Sequence, residues 1–593
     1  MKRIIAVMLS IAFAGSVIAA QAQQDTPTAT TTKIAKRKPA AKRSGPTISE
    51  QLSEMKNAID AQQQQIKQLS DLVETREQKI QQLEQRLDQS QAVATQAQTK
   101  ADTVAAQSAE EQQTVMALKS DVTDLKTGAT STALDLQETQ KTVKTGFENP
   151  VALHYKGVTL TPGGFVAAYG IYRSHNTSSD ATSTFGGIPF SGTSNAHLSE
   201  FRLTERHSNI SLMADSNVHG IQTKAYFEMD FEGAAPTANE TISNSFTPRV
   251  REFWVNAETK NGLAFLAGQG WELLTPNRKS IAPKTEFRPA TIDASYLVGY
   301  HYARETMFRI TDRVSDKVTF AAAVENPETV IQGSGAPANC STGTANCIVP
   351  GVQGTGFAAV TSTDIAPDVA VKVAFDPGWG HYELGGIARF YRSRFVTTTD
   401  SPDGGTNNTN VSGAFAFNAI LPLVPKKIDF YLTSLAGRGV GRFLPGGGVD
   451  VIVKPDGTLM PVRAAGVMGG FEIHPTPSWD INLYGGNEYY SRTIYLNATG
   501  GQVGYGRTTA NQTNCSVEVP SSSTACEANN RDIWEITPQV WRRFWKGKEG
   551  TLQWGLEYEY IHRKAWAGNV GTSTFQPSGI QNVFMTAMRW YLP

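Results

Sequence analysis

The chain has 593 residues, 54 basic against 54 acidic, with 40% hydrophobic residues and 52 glycines. Beyond its N-terminus no run of about twenty continuous apolar residues exists, which excludes a helical membrane protein. Many glycines and aromatics, few long apolar runs and zero formal net charge are unlike several soluble domains in series. They suit a transmembrane β-barrel, in which only alternate residues face lipid.

The chain opens on Lys2 and Arg3, then an apolar run from Ile4 to Ile18, then Ala20-Gln21-Ala22. These are the charged, apolar and cleavage regions of a secretory signal, residues 1–22, cut after Ala22 or Ala20. The run is shorter than a spanning helix needs. No cysteine follows it, which excludes a lipoprotein anchor.

Residues 23–46 are low in complexity and carry Lys33, Lys36, Arg37, Lys38, Lys42 and Arg43. Such a segment buries no core and is expected to be a disordered basic linker. It reads either as a solvated tail or as a contact for cell-wall carboxylates.

Residues 47–145 read as a coiled coil. From Leu52 to Leu125 one heptad register holds. Its a positions run Leu52, Ile59, Ile66, Val73, Ile80, Leu87, Ala94, Ala101, Ser108, Val115 and Val122. The d positions run Met55, Gln62, Leu69, Arg76, Leu83, Ser90, Ala97, Val104, Glu111, Leu118 and Leu125. An unbroken seam of this length signals a rod that needs partner helices, about 110 Å long at 1.5 Å per residue. Gln62, Arg76 and Glu111 weaken it.

From residue 146 to 593 the chain reads as the barrel, its period changing to two from about Gly163. Ile221, Thr223, Ala225, Phe227, Met229 and Phe231 alternate with Gln222, Lys224, Tyr226, Glu228, Asp230 and Glu232. Leu552, Trp554, Leu556, Tyr558 and Tyr560 alternate with Gln553, Glu557, Glu559 and Arg563 in the same way. Such stretches match the ~9–11 residues of a tilted transmembrane strand. The others fall near 164–175, 203–215, 248–258, 262–271, 302–311, 317–326, 367–376, 381–396, 412–424, 427–439, 461–474, 478–491, 531–546 and 579–593, about sixteen in all. Short links alternate with long ones, the habit of outer-membrane barrels. With both barrel ends on the periplasmic side, the coiled coil is periplasmic. In the last strand Phe584, Met588, Trp590 and Leu592 are expected to face lipid and Arg589 the lumen. Phe265, Trp271, Trp534, Trp566 and Trp590 read as interfacial girdle residues.

The four cysteines form two close pairs, each within a Gly/Ser/Thr/Asn-rich stretch of the fourth and seventh long loops. In an exported chain the expected bonds are Cys340–Cys347 and Cys515–Cys526. Histidines are scattered, so no metal site is expected. No Gly-x-Ser-x-Gly elbow, metal-ligand motif or phosphate loop occurs, and neither an enzyme, a cofactor nor a nucleic-acid partner is expected.

A coiled coil ahead of a sixteen-stranded barrel resembles the DcaP-like trimeric outer-membrane porins. The local likeness lies in Phe227-Glu228-Met229-Asp230-Phe231, in Phe265-Leu266-Ala267-Gly268-Gln269-Gly270-Trp271, and in Arg304 to Arg309. Phosphate-selective-type porins share the plan and are the near alternative. The resemblance implies a homotrimer in outer-membrane lipid, passive diffusion of small hydrophilic solutes, and in some members a preference for small anions. It also implies that the third long loop, residues 272–301, folds inward as a constriction. That loop carries Arg278, Lys279, Lys284 and Arg288 against Glu272, Glu286 and Asp293. Arg304, Arg309 and Arg389 on the facing wall complete the candidate constriction. A basic ring favours anions. The competing reading pairs these arginines with Glu228, Asp230 and Glu383 as lumen filling. A different functional reading makes the chain a structural tether, its rod and basic tail holding the outer membrane to peptidoglycan.

Overall fold

Strict alternation of apolar and polar residues over ten or more positions dictates a sheet with one lipid-like face and one polar face, and closure removes its edges. The computed structural model describes Lys119 and residues 152–233, 246–331, 337, 340, 343, 345–349, 364–520, 523 and 525–593. The signal, the basic linker and the heptad rod lie outside these residues, apart from Lys119, which is helical.

The described residues build a closed antiparallel barrel of 16 strands. They are β1 (Val158–Arg173), β2 (Glu200–Thr204 continued by Asn209–Val218), β3 (Ile221–Asp230), β4 (Arg249–Glu258), β5 (Leu263–Trp271), β6 (Arg304–Ser315), β7 (Val318–Glu325) and β8 (Asp368–Phe375). Then come β9 (His381–Val396), β10 (Gly405–Val424), β11 (Ile428–Arg438), β12 (Arg463–Thr476), β13 (Trp479–Tyr490), β14 (Asn530–Gly547), β15 (Gly550–Ala565) and β16 (Ser578–Tyr591). Each strand pairs with the next in sequence, and β16 closes on β1 from Phe165↔Tyr591 to Arg173↔Val583.

Every predicted strand is present, with shifted ends. β10 begins at Gly405, not near 412, because the polar run Thr406–Asn410 pairs residue for residue with β9 from Phe395 to Tyr391. Beyond the apolar belt a strand needs no apolar face, so composition hid it. β2 breaks at Glu205–Ser208, where the Ser208 hydroxyl hydrogen-bonds the backbone N (3.0 Å) and O (3.2 Å) of Ala167 in place of a ladder pair.

The outer surface is apolar: Phe415 is 75% exposed, Leu203 72% and Phe308 70%. On β16, Phe584, Met588 and Trp590 point outward and Arg589 inward. Of the expected girdle, Phe265 and Trp590 are exposed and Trp534 is half-buried. Two assignments are corrected. Alternation is interrupted at Gly268, whose φ is +128°, and beyond it Trp271 turns inward, its Nε1 donating to Glu252 at 3.0 Å. Trp566 packs beneath loop residues, 4.5 Å from the Arg492 guanidinium and donating to the Tyr490 carbonyl.

Both expected disulfides are formed, Cys340–Cys347 and Cys515–Cys526. The segment Cys347–Val349 adds to the edge of β9 at Arg394–Val396. Each clip closes a short loop, so its contribution is local, about 2–3 kcal/mol at most. Peptide mapping without reductant should recover both pairs, and crossed pairs or free thiols would contradict the assignment.

Candidate functional site

The third long loop, between β5 and β6, runs inside the barrel. Its apolar residues Leu273, Leu274, Ile281, Phe287, Ile292, Leu297 and Val298 are all essentially buried, so the loop carries its own core against the wall. The wall meets its backbone with carboxylates. Glu325 on β7 accepts from Leu273 N at 2.8 Å, and Glu383 on β9 from Asn277 N at 3.2 Å. Glu557 on β15 accepts from Ile292 N at 2.7 Å and Asp293 N at 2.9 Å. Glu535 on β14 accepts from Val298 N at 2.8 Å, and Glu488 on β13 from Gly299 N at 2.9 Å. A carboxyl oxygen accepts each of these loop N–H groups, so the buried backbone donors are satisfied, and the contacts account for acidic side chains buried in a barrel wall.

Two loop groups show how dry these contacts are. Burial pushes the Glu272 carboxyl up to about 7, against hydrogen bonds from Leu274 N and Thr275 that favour its charge. Burial likewise pushes His301 down to about 4, so its ring is neutral where Nε2 meets the Leu274 carbonyl at 3.0 Å.

Glycines on β9, β12 and β13 let the loop lie this close. A Cβ at Gly486 would stand 1.8 Å from the Val298 carbonyl oxygen, and one at Gly385 would stand 2.6 Å from Leu274. Gly299 sits at φ +83° against the Val467 carbonyl. The inward loop was expected; its wall carboxylates and glycine seats were not. The Gly385-Gly386 and Gly485-Gly486 pairs were the available signal.

With the loop held against β7–β9 and β12–β15, a cleft of about 360 Å³ is left between it and β1–β4 and β16. Its charged lining is Glu228, Arg251, Lys284, Arg288 and Arg589, with Tyr226 and Tyr296 beside them. Arg251 is held by Glu228 (2.7 Å) and Asp230 (2.8 Å). Lys284 bridges Glu228 (3.3 Å) and Glu252 (3.1 Å) and lies 3.8 Å over the Tyr226 ring. Arg288 is exposed to the cleft and makes no ion pair or hydrogen bond with the described residues. Arg589 also lacks a carboxylate among them: its Nε donates to Tyr169 Oη at 2.8 Å and its guanidinium lies 4.7 Å over Trp541.

The seven candidate residues thus separate. Lys284 and Arg288 line the cleft. Arg304 lies nearby over the Trp271 ring at 5.2 Å. Arg278 is on the other side of the loop, paired with Glu472 of β12 at 3.2 Å, and Lys279 next to it is exposed. Arg309 is buried in the β6 wall. Arg389 is fully buried, paired with Asp368 (3.0 Å) and with Asp450 (3.1 Å) of the loop after β11. Glu228 and Asp230 do not pair with Arg304, Arg309 or Arg389 as the lumen-filling reading had it; their partners are Arg251 and Arg249. Glu383 pairs instead with Lys372 at 3.1 Å. Arg251 and Arg589 were missed as cleft residues because parity places both in the lumen without showing which side of it the loop leaves open.

No family model and no curated protein matches the sequence. Among solved structures, the outer-membrane channel DcaP of Acinetobacter baumannii aligns at a TM-score of 0.52 and 12% identity, over 74% of this chain and 100% of that one. The anion-selective porin from Comamonas acidovorans (TM-score 0.38, 10% identity, 73% and 100%) and Salmonella typhi OmpF (0.40, 8% identity, 74% and 100%) also align. The chain shares the fold of the DcaP channel.

Proposed function

We propose that this barrel, which folds like the DcaP channel, is a trimeric outer-membrane porin for passive diffusion of small hydrophilic solutes, with a modest preference for anions. The carrying observation is the cleft beside the inward loop, where Arg288 and Arg589 lack carboxylate partners among the described residues. Cations without a direct ion-pair partner in a narrow passage with low-dielectric walls raise the local anion concentration. The long loops then face outward from the cell and the short turns face the periplasm. The apolar belt supports a lipid setting, and the heptad register supports association of chains.

The deciding experiment is single-channel conductance of the purified protein in a planar bilayer, with the reversal potential in a salt gradient. Stable openings and a reversal potential of anion sign are expected; no openings, or a cation sign, would refute the reading. Native mass in gentle detergent should correspond to three chains, and one or two chains would count against the trimer. Deleting residues 47–145 should leave a folded barrel, since strand closure needs nothing from the rod. Loss of heat-modifiable migration on a gel would contradict that.

A further inference from the structure

The outer wall also carries charge, and on β11 and β12 it stands at the loop end. On β12 the outward residues run Ile473, Phe471, Gly469, Val467, Ala465 and then Arg463. On β11 they run Ile428, Phe430, Leu432, Ser434, Ala436 and then Arg438. Ten residues of strand tilted at about 40° rise roughly 25 Å, the height of an outer-membrane apolar band. Arg438 and Arg463 therefore stand where that band ends on the loop side. They face each other in direct register across the two strands. Both are exposed, and neither makes an ion pair with the described residues.

Like charges directly opposite on neighbouring strands repel, so this pair calls for an anion from outside the chain. The next strands supply matching chemistry. Tyr489 of β13 points outward and is 37% exposed. It lies 6.1 Å from the Trp566 ring, over which the Arg492 and Arg531 guanidinium groups stand. Outward Lys564 is in register with Asp532, and Asp532 is paired with Arg531 at 3.4 Å.

We infer that Arg438 and Arg463 bind the phosphate of a phosphorylated lipid headgroup in the leaflet at the loop end of the barrel. Guanidinium forks match phosphate oxygens in pairs, and the apolar strand residues below them take the acyl chains. In the orientation proposed above, on which this inference rests, that leaflet is the outer one, and the lipid is a phosphorylated saccharolipid. The site is separate from the cleft, so the two readings can fail independently.

The test uses the full-length protein in detergent with bis-phosphorylated lipid A as probe and native mass spectrometry as readout. The wild type should retain lipid A. The double variant Arg438→Gln/Arg463→Gln should bind it at least about tenfold more weakly, two cations having been lost at an anionic surface. Arg542→Gln, at the turn end over the Trp479 ring, should bind normally. Arg438→Lys/Arg463→Lys keeps the charge, should retain most of the affinity, and guards against a folding defect in the first variant. Inorganic phosphate at the same concentration should not displace the lipid. Equal retention by wild type and the glutamine variant, or equal binding of dephosphorylated lipid A, would overturn the inference. Displacement by free phosphate would do the same. Unchanged conductance in the same glutamine preparation would show that the porin reading is unaffected.

Discussion

Valine at Gly486 is expected to lower single-channel conductance and make the open level flicker. Gly486 faces the lumen on β13, and a Cβ there would stand 1.8 Å from the Val298 carbonyl oxygen, where ordinary contact begins at 3.4 Å. The loop must retreat by about 1.6 Å, the difference of those two values, before the two γ-methyls are accommodated. The wall is closed behind it, so the loop can move only into the cleft. The shift also pulls Val298 N and Gly299 N away from Glu535 and Glu488, loosening the return arm of the loop. Gly485→Val is the control: it faces outward, and its Cβ would meet nothing nearer than 3.4 Å, so conductance should hold. Unchanged conductance in Gly486→Val, with the barrel folded, would mean that the loop does not border the conducting path.

The architecture was legible because a barrel writes itself twice, once as alternation and once as turn spacing. The Ile221–Glu232 faces and the inward Arg589 needed only parity. What parity could not show is where a loop goes. Arg389 alternates correctly into the lumen, yet Asp450 comes from a loop about sixty residues away and neutralises it. Arg278 and Lys284 looked equivalent in sequence, but the first meets Glu472 and the second Glu228 and Glu252, on opposite sides of one loop. Glu557 alternates like any lumen residue, and Glu535 lies on a strand read from the sequence only by its bounds. Their partners are backbone N–H groups of a segment more than two hundred residues earlier, and a backbone donor leaves no mark in the sequence. Trp271 was misplaced because one glycine, Gly268, interrupted the alternation on which the girdle reading depended.

Arg288 should carry more of the anion preference than any other loop residue. Arg278 and Lys284 already face carboxylates at 3.2 Å and 3.1–3.3 Å, and their fields are largely cancelled at the distance of a passing ion. Arg288 has no such partner among the described residues and is exposed to the cleft. A unit charge about 8 Å from an ion in water contributes about 0.5 kcal/mol, attractive for an anion and repulsive for a cation, so about 1 kcal/mol between the two. Replacing Arg288 by glutamine should therefore cut the anion-to-cation permeability ratio roughly fivefold. Arg278→Gln should change the ratio much less, and because it exposes Glu472 the change should be toward cations. Arg288→Lys keeps the charge and should keep the ratio, which separates charge from the shape of the guanidinium. The reversal potential across a salt gradient measures all three, and raising the salt should shrink the differences as screening requires. An anion preference unchanged in Arg288→Gln, or a larger loss in Arg278→Gln than in Arg288→Gln, would show that selectivity is set elsewhere in the lumen.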